Sequence, residues 1–122
     1  MVREEISNYR DLRYSNWHRT LPDFCYCIDF DFVEWRSGRG IVAIIEVAVR
    51  DTNQSLANQL DRKQFEAKIL YEAARKLNVN AYIVFYNESL SAFWIFIPYE
   101  DGRTSLLKVI GEQEYEEFIK NL

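Results

Sequence analysis

A hairpin pattern in the first half of the chain constrains the fold more than any other feature. Residues 24–35 alternate and are rich in aromatic and β-branched side chains, which is typical of a β-strand. Residues 37–40, Ser-Gly-Arg-Gly, supply a turn. Residues 41–49 are apolar at nearly every position, which indicates a central strand covered on both faces. The sequence therefore predicts a hairpin whose second strand lies inside a sheet.

The other predicted elements surround this hairpin. In chain order the prediction is a helix at 2–14, strands at 24–35 and 41–49, a helix at about 56–77, strands at 81–86 and 91–98, and a helix at 112–122. Residues 14–23 are predicted to form a polar connection. The order α-β-β-α-β-β-α is that of an α/β sandwich with a central mixed β-sheet. The long helix would make strands 41–49 and 81–86 parallel neighbours joined by a right-handed crossover.

Composition limits the classes of protein that this chain can be. A length of 122 residues with 48% hydrophobic residues predicts one domain spanning 1–122. The net charge of -4 argues against a general polyanion binder, so nucleic-acid contact would need a local basic patch. The longest apolar run, 41–45, is too short to cross a membrane, and the first residues lack a signal-peptide core. We therefore expect a soluble, cytoplasmic protein with no membrane partner.

The two cysteines, Cys25 and Cys27, fall on the first predicted strand. Residues at i and i+2 of a strand point to the same face, which makes a disulfide between them sterically unfavourable. A zinc site would need two more ligands, and His18 is the sole histidine. Both cysteines are therefore predicted to be small hydrophobic residues on a buried strand face.

Three carboxylates of the hairpin are candidates for chemistry. Asp29 and Asp31 lie on the first predicted strand, and Glu46 follows five apolar residues on the second. A carboxylate at a buried strand end is costly unless it is paired, hydrogen-bonded or bound to a metal. Two strands that bring acids to one place predict a metal site. The alternative is that Asp29 and Asp31 pair with nearby arginines in an inert sheet.

This pattern resembles the PD-(D/E)XK phosphodiesterase superfamily, which includes restriction endonucleases and archaeal Holliday-junction resolvases. The resemblance covers residues 25–86: an acid on the first strand of a hairpin, Glu46-Val47-Ala48 near the end of the second, then a helix and a parallel strand. It implies a restriction-endonuclease-like fold and a nuclease that hydrolyses DNA, including branched DNA. Asp31, Glu46 and the carbonyl of Val47 would hold Mg²⁺ or Mn²⁺. Hard oxygen ligands suit Mg²⁺, and a bound ion can activate water and neutralise phosphate charge.

The chain departs from the family pattern at position 48, where Ala48 replaces the usual catalytic lysine. Some family members supply that lysine from the following helix, and Lys63 continues the apolar stripe of Leu56 and Leu60. Lys63 is therefore the candidate replacement cation. The alternative is that Lys63 extends to solvent along the helix surface. Gln59 is a second candidate polar group, one helical turn earlier.

The segment 14–19, Tyr-Ser-Asn-Trp-His-Arg, combines stacking and cationic side chains on a predicted loop. His18 and Arg19, together with Arg50, are the predicted nucleic-acid contacts. The alternative is that Trp17 anchors the loop to the core and that His18 has a backbone or carboxylate partner.

Two interpretations remain open from the sequence. The first is a nuclease with catalytic residues Asp31, Glu46 and Lys63 and a Mg²⁺ or Mn²⁺ cofactor. The second is a catalytically inactive member of the same fold that binds nucleic acid or a protein partner. DNA is favoured over RNA as the nucleic-acid partner, and the likeness to resolvases raises a homodimer as the assembly to examine.

Overall fold

The computed structural model describes residues 12–122. Most of the helix predicted at 2–14 lies outside the described residues. Four helices and five strands make up the described range, in the order α1 (Leu12–His18), β1 (Phe32–Arg36), β2 (Gly40–Val49), α2 (Leu56–Arg62), α3 (Gln64–Leu77), β3 (Asn80–Tyr86), β4 (Phe93–Pro98), β5 (Thr104–Ile110) and α4 (Glu112–Lys120).

The strands form one mixed sheet in the spatial order β1-β2-β3-β4-β5. Strands β2 and β3 are parallel, with Glu46 opposite Ile83, and the other three neighbouring pairs are antiparallel. The predicted α/β class, the mixed sheet and the parallel pairing across the helical connection are confirmed. None of the helices in the range 12–122 combines the length and apolar composition that a membrane crossing requires.

Helices cover both faces of the sheet. Ile44, Ile83 and Phe85 pack against α3, which contributes Ala67 and Leu70 to the same cluster. The opposite face packs against α4 through a second cluster of residues, namely Ile45, Val84, Ile95, Tyr115 and Phe118. Because Ile44 and Ile45 are both buried, β2 is covered on both sides, as its apolar sequence predicts.

The first predicted strand, 24–35, is wrong over most of its length. Residues 24–30 contain no strand, and β1 begins only at Phe32. Cys25 is partly buried and Cys27 is exposed, so neither lies on a buried strand face as predicted. The alternation in this segment reflects exposed aromatic side chains, among them Phe24, which is 87% exposed.

Three further predictions are corrected. The polar connection at 14–23 is wrong because α1 runs to His18. The helix at 56–77 is two helices that meet at Lys63. An additional edge strand, β5, pairs with β4 in a region for which no element was predicted. Four of its residues are exposed, and Lys108 interrupts its apolar residues, so no continuous apolar run marks it as a strand.

Candidate active site

Glu46 is the buried acid at the centre of the candidate site. It lies on β2 between Ile44, which belongs to the hydrophobic cluster beneath α3, and Ala48, which packs against that cluster. Side chains alternate along a strand, so Glu46 points to the same helical layer. Only 8% of the Glu46 surface is exposed to solvent. A carboxylate at this depth needs a cation, a proton or hydrogen-bond donors.

Lys63 provides the cation. Its backbone has φ -95° and ψ 4°, outside the helical region, and it serves both as the last cap of α2 and the first cap of α3. This break turns the side chain toward the sheet, and Nζ lies 2.8 Å from Glu46 Oε2. The Lys63 side chain is 24% exposed. The predicted encounter between Lys63 and Glu46 is therefore present, and Lys63 does not extend freely to solvent.

Asp31 completes the cluster from the neighbouring strand. It immediately precedes β1, and the pairing of Phe32 with Ile45 places Asp31 across from Glu46. Asp31 Oδ2 accepts a hydrogen bond from the backbone N–H of Val47 at 2.9 Å. The Asp31 carboxylate therefore binds a backbone N–H of β2 that a backbone carbonyl would bind if β1 were longer. Asp31 itself is exposed, so this end of the sheet is open to a ligand.

The charges of the cluster are coupled. Burial raises the pKa of Glu46, the hydrogen bond and charge of Lys63 oppose that rise, and the nearby Asp31 reinforces it. Burial alone would lower the pKa of Lys63, but its hydrogen bond to Glu46 and the charges of Glu46, Glu66 and Asp31 raise it overall. Lys63 therefore stays an ammonium ion at neutral pH. It can stabilise negative charge, but it cannot act as a general base.

The donor set fits a small divalent cation. Asp31 lies close enough to Glu46 to raise the pKa of the Glu46 carboxyl, and a bound cation would oppose that rise. The N–H and C=O of one strand residue point toward the same neighbouring strand. Because the Val47 N–H points to Asp31, the Val47 carbonyl points to that side as well. Among residues 12–122 no three His, Cys, Asp or Glu side chains converge on one point. Mg²⁺ accepts such a set, since it binds through one or two carboxylates and keeps several waters.

Arg50, a predicted nucleic-acid contact, holds the loop between β2 and α2. Its Nη1 donates to the carbonyl of Gln54 at 2.9 Å and to Gln59 Oε1 at 2.6 Å. Gln59 in turn donates through Nε2 to the carbonyl of Val49 at 3.1 Å. Both polar side chains are thus engaged in shaping the strand end. Phosphate contact by Arg50 remains a prediction.

His18 and Arg19, the other predicted contacts, line a surface depression beside α1 together with Asp29. Asp29 is two residues from Asp31 in a segment without strand pairing, so this depression begins close to the acid cluster. Trp17 is 54% exposed, which contradicts the alternative in which it anchors the loop to the core. Tyr14 packs against Trp17, with ring centroids 5.5 Å apart.

Sequence reasoning missed two features of the site. One is the hydrogen bond from Val47 N–H to Asp31, which depends on where strand pairing ends. The other is the helix break at Lys63, which contains neither Gly nor Pro. Ser55 caps the start of α2, where its Oγ accepts a hydrogen bond from the Asn58 N–H at 3.1 Å.

Comparison of the chain with protein-family models, with curated proteins and with solved structures found no match.

Proposed function

We propose that this protein is a divalent-metal-dependent phosphodiesterase that hydrolyses nucleic acid, with DNA as the favoured substrate, on a restriction-endonuclease-like core. The observation that carries the proposal is the meeting of Lys63, Glu46 and Asp31, in which Lys63 Nζ lies 2.8 Å from Glu46 Oε2. Three separate segments deliver these side chains: a β-strand, the end of its neighbour and a break between helices.

The cluster supplies the groups that such a reaction needs. A bound Mg²⁺ or Mn²⁺ would activate water and offset phosphate charge, and Asp31, Glu46 and the Val47 carbonyl would hold it. The Lys63 ammonium lies within the same cluster, where it can stabilise charge that builds on a phosphate oxygen in the transition state. This assigns to Lys63 the role that Ala48 cannot perform. His18 and Arg19, which line the neighbouring depression, would contact the phosphate backbone.

A cleavage assay tests the proposal. Branched, single-stranded and duplex DNA are incubated with the protein and Mg²⁺ or Mn²⁺, and the products are resolved by denaturing electrophoresis. We expect metal-dependent cleavage that Glu46→Gln abolishes and that Lys63→Met reduces by about 100-fold or more, as for removal of one charge-stabilising group. Lys68→Met is the matched control, because Lys68 is an exposed lysine five positions along the same helical region. Absence of metal-dependent cleavage of every substrate, or equal cleavage by Glu46→Gln, would refute the proposal.

The second candidate function is a catalytically inactive module of the same fold that binds nucleic acid or a protein. The Glu46–Lys63 ion pair favours it, because the ammonium already neutralises the buried acid without a metal. This alternative predicts DNA binding that neither EDTA nor Glu46→Gln changes, with no cleavage. Fluorescence anisotropy with a labelled oligonucleotide, measured with Mn²⁺ and with EDTA, distinguishes the two functions.

A further inference from the structure

A histidine and a cysteine meet beside α1, apart from the Asp31–Glu46–Lys63 cluster. His18 is the last residue of α1, and Cys27 lies in the segment between α1 and β1. Cys27 Sγ and His18 Nδ1 are 3.6 Å apart, within hydrogen-bonding distance for sulfur. A thiol next to an imidazole is the arrangement in which a proton can pass from sulfur to nitrogen.

Backbone hydrogen bonds shape the turn that follows His18. After α1 the chain turns through bonds from Thr20 N to the Trp17 carbonyl at 3.0 Å and from Leu21 N to the His18 carbonyl at 3.1 Å. The Thr20 hydroxyl also donates to the Trp17 carbonyl at 2.6 Å. The imidazole ring of His18 lies near the Tyr14 ring, with centroids 6.4 Å apart. These bonds fix the turn that follows His18, and Cys27 contacts the imidazole from the segment beyond that turn.

The pair opens on a depression with a volume of about 390 Å³. Cys27 is exposed there, so a small molecule can reach its sulfur. Cys25, which is partly buried, lines the same depression. Besides His18, the lining carries the side chains of Arg19, Asp23 and Asp29.

We propose that Cys27 is a nucleophilic thiol, that His18 is its proton acceptor, and that this pair is a site of covalent modification by small carbon electrophiles. His18 Nδ1 takes the thiol proton, and the sulfur electron pair forms an S–C bond with the electrophilic carbon. With a haloacetamide the carbon–halogen bond breaks, the halide leaves with its electrons, and the imidazolium returns the proton to solvent. The proposal does not rest on the phosphodiesterase activity, although the two share His18.

The expected effect has an upper limit. An ordinary cysteine is about 3% thiolate near neutral pH, so full conversion raises the alkylation rate by at most about 30-fold. We expect Cys27 to react about 3- to 30-fold faster than Cys25 in the folded protein. In urea-unfolded protein the two thiols should react at the same rate, because the histidine is no longer held beside Cys27.

The experiment uses two full-length single-cysteine proteins, Cys25→Ser and Cys27→Ser, treated with iodoacetamide near neutral pH. Mass spectrometry of the intact protein follows the label with time. We expect His18→Gln to slow labelling of Cys27 in the Cys25→Ser protein to about the rate of Cys25, and to leave Cys25 unchanged in the Cys27→Ser protein.

Two results would overturn the proposal. One is equal labelling of Cys27 and Cys25 in the folded proteins, which needs no histidine variant and so holds whether or not His18→Gln folds. The other is an unchanged rate at Cys27 after His18→Gln in a protein whose far-UV circular dichroism matches that of its parent.

Discussion

Replacing Lys63 with methionine should expose how strongly the buried acid depends on its cation. Removing one partner of a buried ion pair costs about 3–5 kcal/mol, whereas an exposed pair contributes about 0–1 kcal/mol. The side chains of Lys63 and Glu46 are 24% and 10% exposed, so the pair lies nearer the buried limit. We expect Lys63→Met to lower the free energy of unfolding by about 2–3 kcal/mol near pH 8.

The loss should depend on pH in a defined direction. Burial raises the pKa of Glu46, and without the opposing ammonium the pKa rises further. A carboxyl whose pKa is higher in the folded than in the unfolded state binds more protons when folded, so stability falls as pH rises above 4.5, the ordinary pKa of a glutamate. Near pH 4 the carboxyl is mostly protonated in both states, and the loss should largely disappear.

Urea unfolding followed by tryptophan fluorescence, near pH 4 and near pH 8, measures this effect. Lys76→Met is the control, because Lys76 pairs with Glu72 on the same helix but is 76% exposed. That change should cost less than about 0.5 kcal/mol at either pH. The double variant Lys63→Met/Glu46→Gln should recover most of the loss, because the buried charge is gone. Equal losses for Lys63→Met and Lys76→Met, or a loss that does not vary with pH, would refute the reasoning.

Three further predictions concern stability. Gly102→Ala should lower the free energy of unfolding by about 3 kcal/mol or more, and Gly38→Ala by about 1 kcal/mol, as measured by urea unfolding. Both glycines have positive φ, but only at Gly102 would the new Cβ lie against the Gln64 carbonyl, at 2.7 Å. Similar losses for both would contradict this. Arg50→Met should lower the free energy of unfolding by about 2 kcal/mol, because the hydrogen bonds of Arg50 close the β2–α2 loop. Calorimetry measures this loss, and an unchanged melting temperature would exclude that role. Burial, then the charge of Glu34, raises the pKa of Tyr115 from 10.0 to about 12, so wild type should lose stability relative to Tyr115→Phe as pH rises between these values. Urea unfolding of both proteins at a series of pH values measures this difference, and the same dependence of unfolding free energy on pH in both would argue against it.

The core strand was predictable because its sequence allows few alternatives. Residues 41–49 are apolar on both faces, and a strand of this kind is stable only inside a sheet. Ile44 and Ile45 are both buried accordingly. The start of β1 was not predictable from alternation, since residues 24–31 alternate without pairing. Pairing ends where the Asp31 carboxylate takes the Val47 N–H, and that depends on a residue of another strand.

The candidate site shows the same division. Position in the apolar stripe, together with Ala48 where a lysine is usual, pointed to Lys63 as the partner of Glu46, and the two side chains meet. The break between α2 and α3 that directs Lys63 inward has no Gly or Pro to mark it. The Arg50 contacts could not be predicted from the alternation of side chains along β2. Its guanidinium donates to a carbonyl of the following loop, which the strand pattern does not describe.

The sequence by itself determined the mixed α/β class, the hairpin with its buried second strand, and the identity of the acids and the lysine that could act together. Those features follow from local periodicity and from the cost of burying a charge without a partner. The tertiary structure alone decided that Asp31 binds a backbone N–H of β2, that Lys63 reaches Glu46 across a helix break, and that His18 meets Cys27. These contacts join residues that lie 9 to 17 positions apart in the chain, and their distances depend on how strands, helices and loops pack rather than on any local pattern.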